Sequence, residues 1–306
     1  MTISVAPALA GNGRAIAYMI LAILCFSMMD ATVKALSPIV GTVPALWARY
    51  AGQMALVLVL IAPRFRSVMR TKYLKLQFFR SVLLMGATGC FFLGLAHIGL
   101  TEASAIMNVN PVLVTLGAAL FLGEKLGMRR VFGILAAMVG ALIVIRPGSD
   151  VFSPYALLPL GAALCYSSYA LLTRLVGRDE DVWTSLFYTG LVGTLILSIA
   201  VPFAWQPPGA KGWLLMGMIA AFGTAGQMSL IRALTAGEAG MLAPYAYLGL
   251  VFAAFWGLLF FAEVPDFWTV VGALVIAAAG LYVWQRETFA RQSAPLTPPD
   301  HSGQET

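Results

Sequence analysis

Charge is what this sequence has least of. Only 10% of its 306 residues are charged, against roughly a quarter in soluble domains. That scarcity excludes an ordinary soluble protein, which would have to solvate helices with no polar face. Histidine is nearly absent, with only His97 and His301, so a metalloenzyme or a Ser–His hydrolase has no convergent set to draw on. Cys25, Cys90 and Cys165 carry no CxxC pairing and no neighbouring histidine. This argues against a disulfide framework or thiolate metal site and leaves packed free thiols. No GxxxxGK[ST] loop occurs, so the chain lacks the phosphate cradle of an ATP-driven pump. Catalysis is not expected, and neither a cofactor nor a metal is implied.

What is abundant is apolar length. Hydrophobic residues make up 60% of the chain and its mean hydropathy is +0.87. They fall in blocks of about twenty, the length a helix needs to cross the hydrocarbon core. Ten such blocks are expected, over 15–36, 43–61, 79–98, 102–121, 131–145, 154–175, 183–205, 213–234, 240–261 and 268–283. The expected fold is an all-α integral membrane protein of ten transmembrane helices. Short loops leave no room for a soluble domain. The first block has full spanning length and no small-residue cleavage pattern at its end, so it reads as a span and not a removable leader. A tail over 286–306, with Pro295, Pro298, Pro299 and Gly303, is expected to be disordered.

Lysine and arginine placement orients the chain. With residues 1–14 cytoplasmic, fifteen cations fall inside: Arg14, Arg64, Arg66, Arg70, Lys72, Lys75, Arg80, Lys125, Arg129, Arg130, Arg174, Arg178, Arg232, Arg286 and Arg291. Only Lys34, Arg146 and Lys211 fall outside, while Arg49 lies within a span. Both termini are therefore expected in the cytoplasm. The net charge of +6 is a topology signal, and no nucleic-acid partner is implied; the partners expected are a lipid bilayer and a small-molecule solute.

The halves repeat. Residues 22–27, AILCFS, match 162–167, AALCYS, and Lys34 falls opposite Arg174, all 140 apart. Glu124 followed by Gly133 matches Glu263 followed by Gly272 at 139. Five spans per half is an odd number, so the second half, 146–285, enters the membrane from the side opposite to the first, 15–145. Such inverted repeats belong to secondary transporters that open one central site to each side in turn.

The ends of the halves carry a family likeness. Ala103-Ser104-Ala105 runs through Asn110-Pro111 to Leu122-Gly123-Glu124, Gly133 and Gly140-Ala141-Leu142-Ile143; Ala239 runs to Ala262-Glu263, Gly272 and Gly280-Leu281. With these motifs the chain resembles the EamA-type members of the drug/metabolite transporter superfamily over about residues 15–285. The resemblance implies a five-plus-five inverted repeat, transport across a bacterial inner membrane and a first helix beside the central cavity. The second half departs in having about three extra residues before Glu263, and Pro244 is not at the position matching Pro111. Met29-Asp30-Ala31-Thr32-Val33-Lys34 is similar to carriers of vitamins or nucleoside-like metabolites, including riboflavin and S-adenosylmethionine transporters. Uptake of such a metabolite, riboflavin first, is the expectation this likeness implies, with export of amino acids or toxic compounds as the alternative.

Polar groups within spans need a reason, because a charge at mid-bilayer costs about 3 kcal/mol. Asp30 has two readings. It pairs with Lys34 one turn later, or it faces the cavity and binds a cationic group or a proton. Arg49 either pairs with Asp30 or binds an anionic group. Asn108, Asn110 and the hinge Pro111 interrupt the fourth span, since proline frees a carbonyl that neighbours or solute must satisfy. The hinge Pro244 with Tyr245 and Tyr247 does the same in the ninth. Tyr166, Ser167, Ser168 and Tyr169 in the sixth span and Gln227 in the eighth add neutral groups. Together they describe an aromatic-walled, largely uncharged cavity suited to a planar or amphipathic metabolite. The proposed binding set is Asp30, Arg49, Asn108, Asn110, Ser167, Tyr169, Gln227, Tyr245 and Tyr247. Gly133, Ala137 and Ala141, with Ala273 and Ala277, form small-residue stripes; internal packing is expected, with a homodimer face as the alternative. His97 is expected at the membrane interface.

Overall fold

Hydrocarbon offers no hydrogen bonds to the backbone, so an apolar run must satisfy its own amides and carbonyls within a helix. The computed structural model describes residues 6–122, 128–146, 153–176, 180–236 and 242–292. Among these it is wholly helical: α1 Ala6–Val40, α2 Thr42–Ile61, α3 Phe65–Val68, α4 Leu74–Leu95, α5 Leu100–Met107, α6 Asn110–Leu122, α7 Met128–Ile145, α8 Leu157–Val176, α9 Val182–Ala204, α10 Gly209–Ala236, α11 Leu248–Phe261 and α12 Phe267–Gln292. Among the described residues, six helices are long and apolar enough to cross a membrane, within α1, α2, α4, α8, α9 and α10, and shorter apolar helices cover Val131–Ile145, Tyr245–Phe261 and Phe267–Tyr282. The chain is a multi-pass membrane protein.

The expected fourth block is two helices, α5 and α6, parted at Asn108–Val109 ahead of Pro111. The expected ninth begins as a 3-10 turn, Ala243–Tyr247, carrying Pro244 in its first positions. Proline explains both, since it donates no backbone hydrogen bond and clashes with the preceding helical turn. The side chains of Pro111 and Pro244 lie outside the described residues, as do Glu124, Glu238 and 293–306. Helix α12 continues through 286–292, which the sequence suggested as tail, and α1 is already helical at Ala6. Between α1 and α2 the chain reverses at Gly41, whose φ of 80° only glycine adopts without strain.

Packing partners exchange between the halves. Helix α1 lies on α10 and α4 lies on α8; α2 packs on α10 and α9 on α4; α6 meets α8 and α11 meets α1. Pairs α2–α9, α5–α11 and α7–α12 also pack. Swapping α1 with α8, α2 with α9, α4 with α10, α5/α6 with α11 and α7 with α12 turns each of these nine pairings into itself or into another of them.

Small residues permit the tightest crossings. A side chain at Gly193 would enter the ring of Tyr50, and one at Gly52 would meet Ala220. At the α7–α12 crossing, a Cβ on Gly140 would sit 3.0 Å from the Gly272 carbonyl. Gly133, Ala137 and Ala141 are buried at this side of α7, so the small-residue stripe is used within the subunit.

At one end of the bundle the loops are tied by charge. Chain reversal after α11 runs through Ala262 in the left-handed region at φ 54°, which carries Glu263 back towards α1. Lys34 Nζ lies 2.6 Å from Glu263 Oε1 and donates to the Ile98 carbonyl at 2.6 Å. The Leu100 amide donates to the other carboxylate oxygen at 2.9 Å. Lys34 therefore does not pair with Asp30; Glu263 satisfies it instead. Removing one partner of this partly buried set is expected to cost about 1–3 kcal/mol. A Glu263→Gln protein in detergent should melt lower than wild type, and an unchanged Tm would show the clasp to be idle.

Beside it, Arg146 and Asp266 pair at 2.6 Å, and the Thr269 amide caps on Asp266 at 2.9 Å. Partial burial alone would raise the Asp266 pKa, but the hydrogen bonds from Thr269 and the Arg146 guanidinium outweigh it and hold the carboxyl below its ordinary value. The folded protein thus binds this proton less readily than the unfolded chain. The stabilisation is complete above the unfolded value of about 3.9 and is lost as pH falls through the lowered one. The Tm difference between wild type and Asp266→Asn should persist from neutral pH to about pH 4 and then close. A difference that vanishes near pH 6 contradicts this.

Candidate functional site

Asp30 sits on α1 more than halfway along its apolar run, half-buried. It makes no hydrogen bond or ion pair with another described residue, although the Arg49 guanidinium acts on it electrostatically. Arg49, on α2, is buried at 6% exposure. Its Nη1 donates to Thr88 Oγ1 at 2.8 Å, and its guanidinium lies 5.2 Å from the centre of the Tyr50 ring. Thr88 spends its own proton on the Leu84 carbonyl at 2.8 Å, so the Tyr50 hydroxyl, 3.2 Å away, donates to Thr88. Arg49 Nε has no hydrogen-bond partner among the described residues. Arg49 is thus anchored to α4 and does not form a salt bridge with Asp30.

A second internal cation was not anticipated. The sequence counts Arg80 with the cluster from Arg64 to Lys75 on the cytoplasmic side, at the very start of the block 79–98. Helix α4 begins at Leu74, however, and Arg80 is 1% exposed. Its Nη2 donates to the Ser185 carbonyl at 2.7 Å and to Thr189 at 3.2 Å, and Nη1 reaches Thr173 at 3.4 Å. The guanidinium lies 5.3 Å from the centre of the Tyr169 ring, and Nε has no hydrogen-bond partner among the described residues. One signal was legible: Gln77, Arg80, Ser81 and Thr88 recur at helical spacing and are all buried, marking an inward polar face.

Tyr166 and Tyr169 on α8 connect the two guanidiniums. Their rings lie 5.6 Å apart; Tyr166 feels the field of Arg49, and Tyr169 that of Tyr50. Ser167 Oγ lies 2.6 Å from the Ala163 carbonyl and 2.8 Å from the Asn110 side-chain oxygen, with its one proton shared between them, which ties α8 to the start of α6. Asn108 donates to the Ser104 carbonyl at 2.7 Å and so caps its own helix. Gln227 on α10 is half-buried and makes no hydrogen bond among the described residues. Tyr247 presses its buried hydroxyl, without a hydrogen-bond partner among the described residues, against Gly280, and Tyr245 packs with Met19 and Leu242. The structure therefore joins Asp30, Arg49 and Tyr169 through Tyr50, Thr88 and Tyr166. Asn110 and Ser167 form a joint at the helix break, and Tyr245 and Tyr247 stand on the second break.

His97 is exposed and stacked on Tyr155 with ring centres 3.8 Å apart. Cys25, Cys90 and Cys165 are free and half-buried. At the end of the bundle opposite Lys34, Glu180 accepts from Thr71 at 2.8 Å, from the Lys72 amide at 3.0 Å and from Gln77 at 3.1 Å.

The chain as a whole has known relatives. The EamA-like transporter family matches the chain twice, over residues 13–146 and 153–284. The pseudopaline exporter of Pseudomonas aeruginosa is 31% identical over 85% of this chain and 92% of its own length. The riboflavin transporter of Rhizobium johnstonii is 33% identical over 72% of this chain and 74% of its own. A solved crystal structure shares the fold at 17% identity with a TM-score of 0.62, over 90% of this chain and 98% of that one.

Proposed function

Because the chain belongs to the EamA-like transporter family, we propose that it is a secondary carrier moving a small organic metabolite across a bacterial inner membrane by alternating access. Its ten spans form two inverted five-helix halves, with both termini in the cytoplasm. The offset near 140, the two family matches and the exchange of packing partners between halves support this architecture. Even without the buried Arg80, fourteen cations on the cytoplasmic side against three outside support this orientation. The Lys34–Glu263 and Arg146–Asp266 pairs then close the outer end.

The observation that carries the proposal is Asp30: a half-buried carboxylate without a described protein partner, beside a buried arginine with an unused Nε. A structural charge would be paired, because an unpaired one in hydrocarbon is costly; a solute-binding one is kept open. Riboflavin is the first named solute to test, S-adenosylmethionine and exported amino acids the next. The purified protein in liposomes should exchange labelled solute across the bilayer, in either direction along an imposed gradient. Conversion of solute without net flux would sink the carrier and favour a membrane enzyme.

A further inference from the structure

On the lipid-facing side of α4 and α9 lies a groove of about 550 Å³, a volume within the range of small-molecule sites. Leu74, Lys75 and Phe79 line it from the first turns of α4, and Tyr188, Leu195 and Ile196 from α9. Tyr188 and Ile196 are eight residues apart, about 12 Å along the helix axis. The lining is wholly apolar, so Lys75 lends its methylene stem and carries its ammonium beyond the groove. Such a recess offers nothing to a hydrophilic solute and suits hydrocarbon. On the inner side of the same helix pair, Arg80 donates to Ser185 and Thr189; a chain seated in the groove braces the pair from outside.

The mouth of the groove is cationic. Arg64, Arg66, Arg70, Lys72 and Lys75 follow one another from the end of α2 to the first turn of α4, all exposed and none in a salt bridge among the described residues. The segment before α4 is held against α9, because Tyr188 donates to the Met69 carbonyl at 2.8 Å and the Phe65 and Phe187 rings meet edge to face at 5.9 Å. Two described carboxylates share this end, and both are engaged elsewhere. Glu180 accepts from Thr71, the Lys72 amide and Gln77, and Asp181 caps α9 by accepting from the Trp183 amide. The cations therefore keep their charge for a partner outside the chain. A cluster of this kind beside a span attracts anionic headgroups. A second copy of this chain, docked on the same face about a two-fold axis, would bring like charges together.

We propose that the groove seats an anionic phospholipid of the cytoplasmic leaflet, one acyl chain lying between α4 and α9 and the phosphate on Lys75. The leaflet rests on the orientation proposed above; the seat itself does not.

Native mass spectrometry of the purified full chain tests this with dioleoyl phosphatidylglycerol and dioleoyl phosphatidylcholine, which share acyl chains and differ in headgroup charge. Phosphatidylglycerol should bind at least about fivefold more tightly, as one cation at an anionic headgroup implies. Lys75→Gln should lose that preference and leave phosphatidylcholine unchanged, whereas Lys75→Arg should keep it. Lys211→Gln, at an exposed cation near the start of α10, should alter neither lipid. Leu195→Trp fills the groove and should lose most of the preference while every cation remains. Inorganic phosphate should not displace the lipid. Equal binding of the two lipids by wild type overturns the proposal, and this comparison decides even where a variant fails to fold. Equal losses in Lys75→Gln and Lys211→Gln overturn it, as do full preference in Leu195→Trp, displacement by phosphate, or a dimer that sheds the lipid. Preference for phosphatidylglycerol in a protein that moves no solute sinks the carrier and spares the lipid seat; flux without lipid preference does the reverse.

Discussion

Asp30→Asn is expected to abolish most transport, lowering the rate at subsaturating solute at least about tenfold, while the protein folds as well as wild type or better. Asparagine keeps the size of the side chain and removes its charge. The carboxylate has no hydrogen-bonding partner among the described residues to lose, and a neutral group in the membrane interior is cheaper by up to about 3 kcal/mol. Stability and activity therefore move in opposite directions, the mark of a group held for a ligand. A charged contact to solute is worth about 1.5–3 kcal/mol, which corresponds to roughly 10–150-fold in affinity. Asp30→Glu keeps the charge and should retain part of the activity. Transport by Asp30→Asn at the wild-type rate, or a lowered Tm with proportionate loss of folded protein, would show Asp30 to be a structural group.

Gly272→Leu should separate α7 from α12 and leave little folded protein. A Cβ at this position meets the Gly140 carbonyl at 2.7 Å and the Val144 amide at 3.1 Å. These are backbone atoms, which cannot swing aside as a side chain would. Alanine there should cost about 1–3 kcal/mol, and leucine, with three more carbons, appreciably more. The expected readout is loss of the monodisperse peak in size-exclusion chromatography. Gly217→Ala is the control: nothing lies within 4 Å of its added methyl, and replacing an unstrained helical glycine should stabilise by about 0.4–1 kcal/mol. A Gly272→Leu protein with wild-type elution and Tm would refute the crossing.

Much of this fold is written locally. Membrane residence follows from composition, the long spans from apolar length, and the two helix breaks from proline. What local sequence concealed was partnership across long separations. Lys34 has Asp30 one turn away, and an isolated helix would pair them. Its actual partner is Glu263, 229 positions later, delivered by the left-handed turn at Ala262. Arg80 shows the same. Its cationic neighbours in sequence group it with a charged membrane edge, whereas its satisfaction comes from Thr173, Ser185 and Thr189 on two other helices. Asn110 and Ser167 stood apart as two polar candidates, and only the approach of α8 to α6 makes them one joint.

The exchange of packing partners also bears on how the protein is made. The most extensive contacts of α1, α2, α4 and α7 are with α10, α9, α8 and α12, all of which leave the ribosome later. A nascent chain ending after α7 has crossed the membrane several times with its small-residue faces still open to lipid. Its helices must wait as separate inserted rods until synthesis of the second half supplies their mates. A chain truncated near residue 150 should thus be inserted but degraded by membrane proteases, whereas the two halves expressed from separate genes should rescue each other.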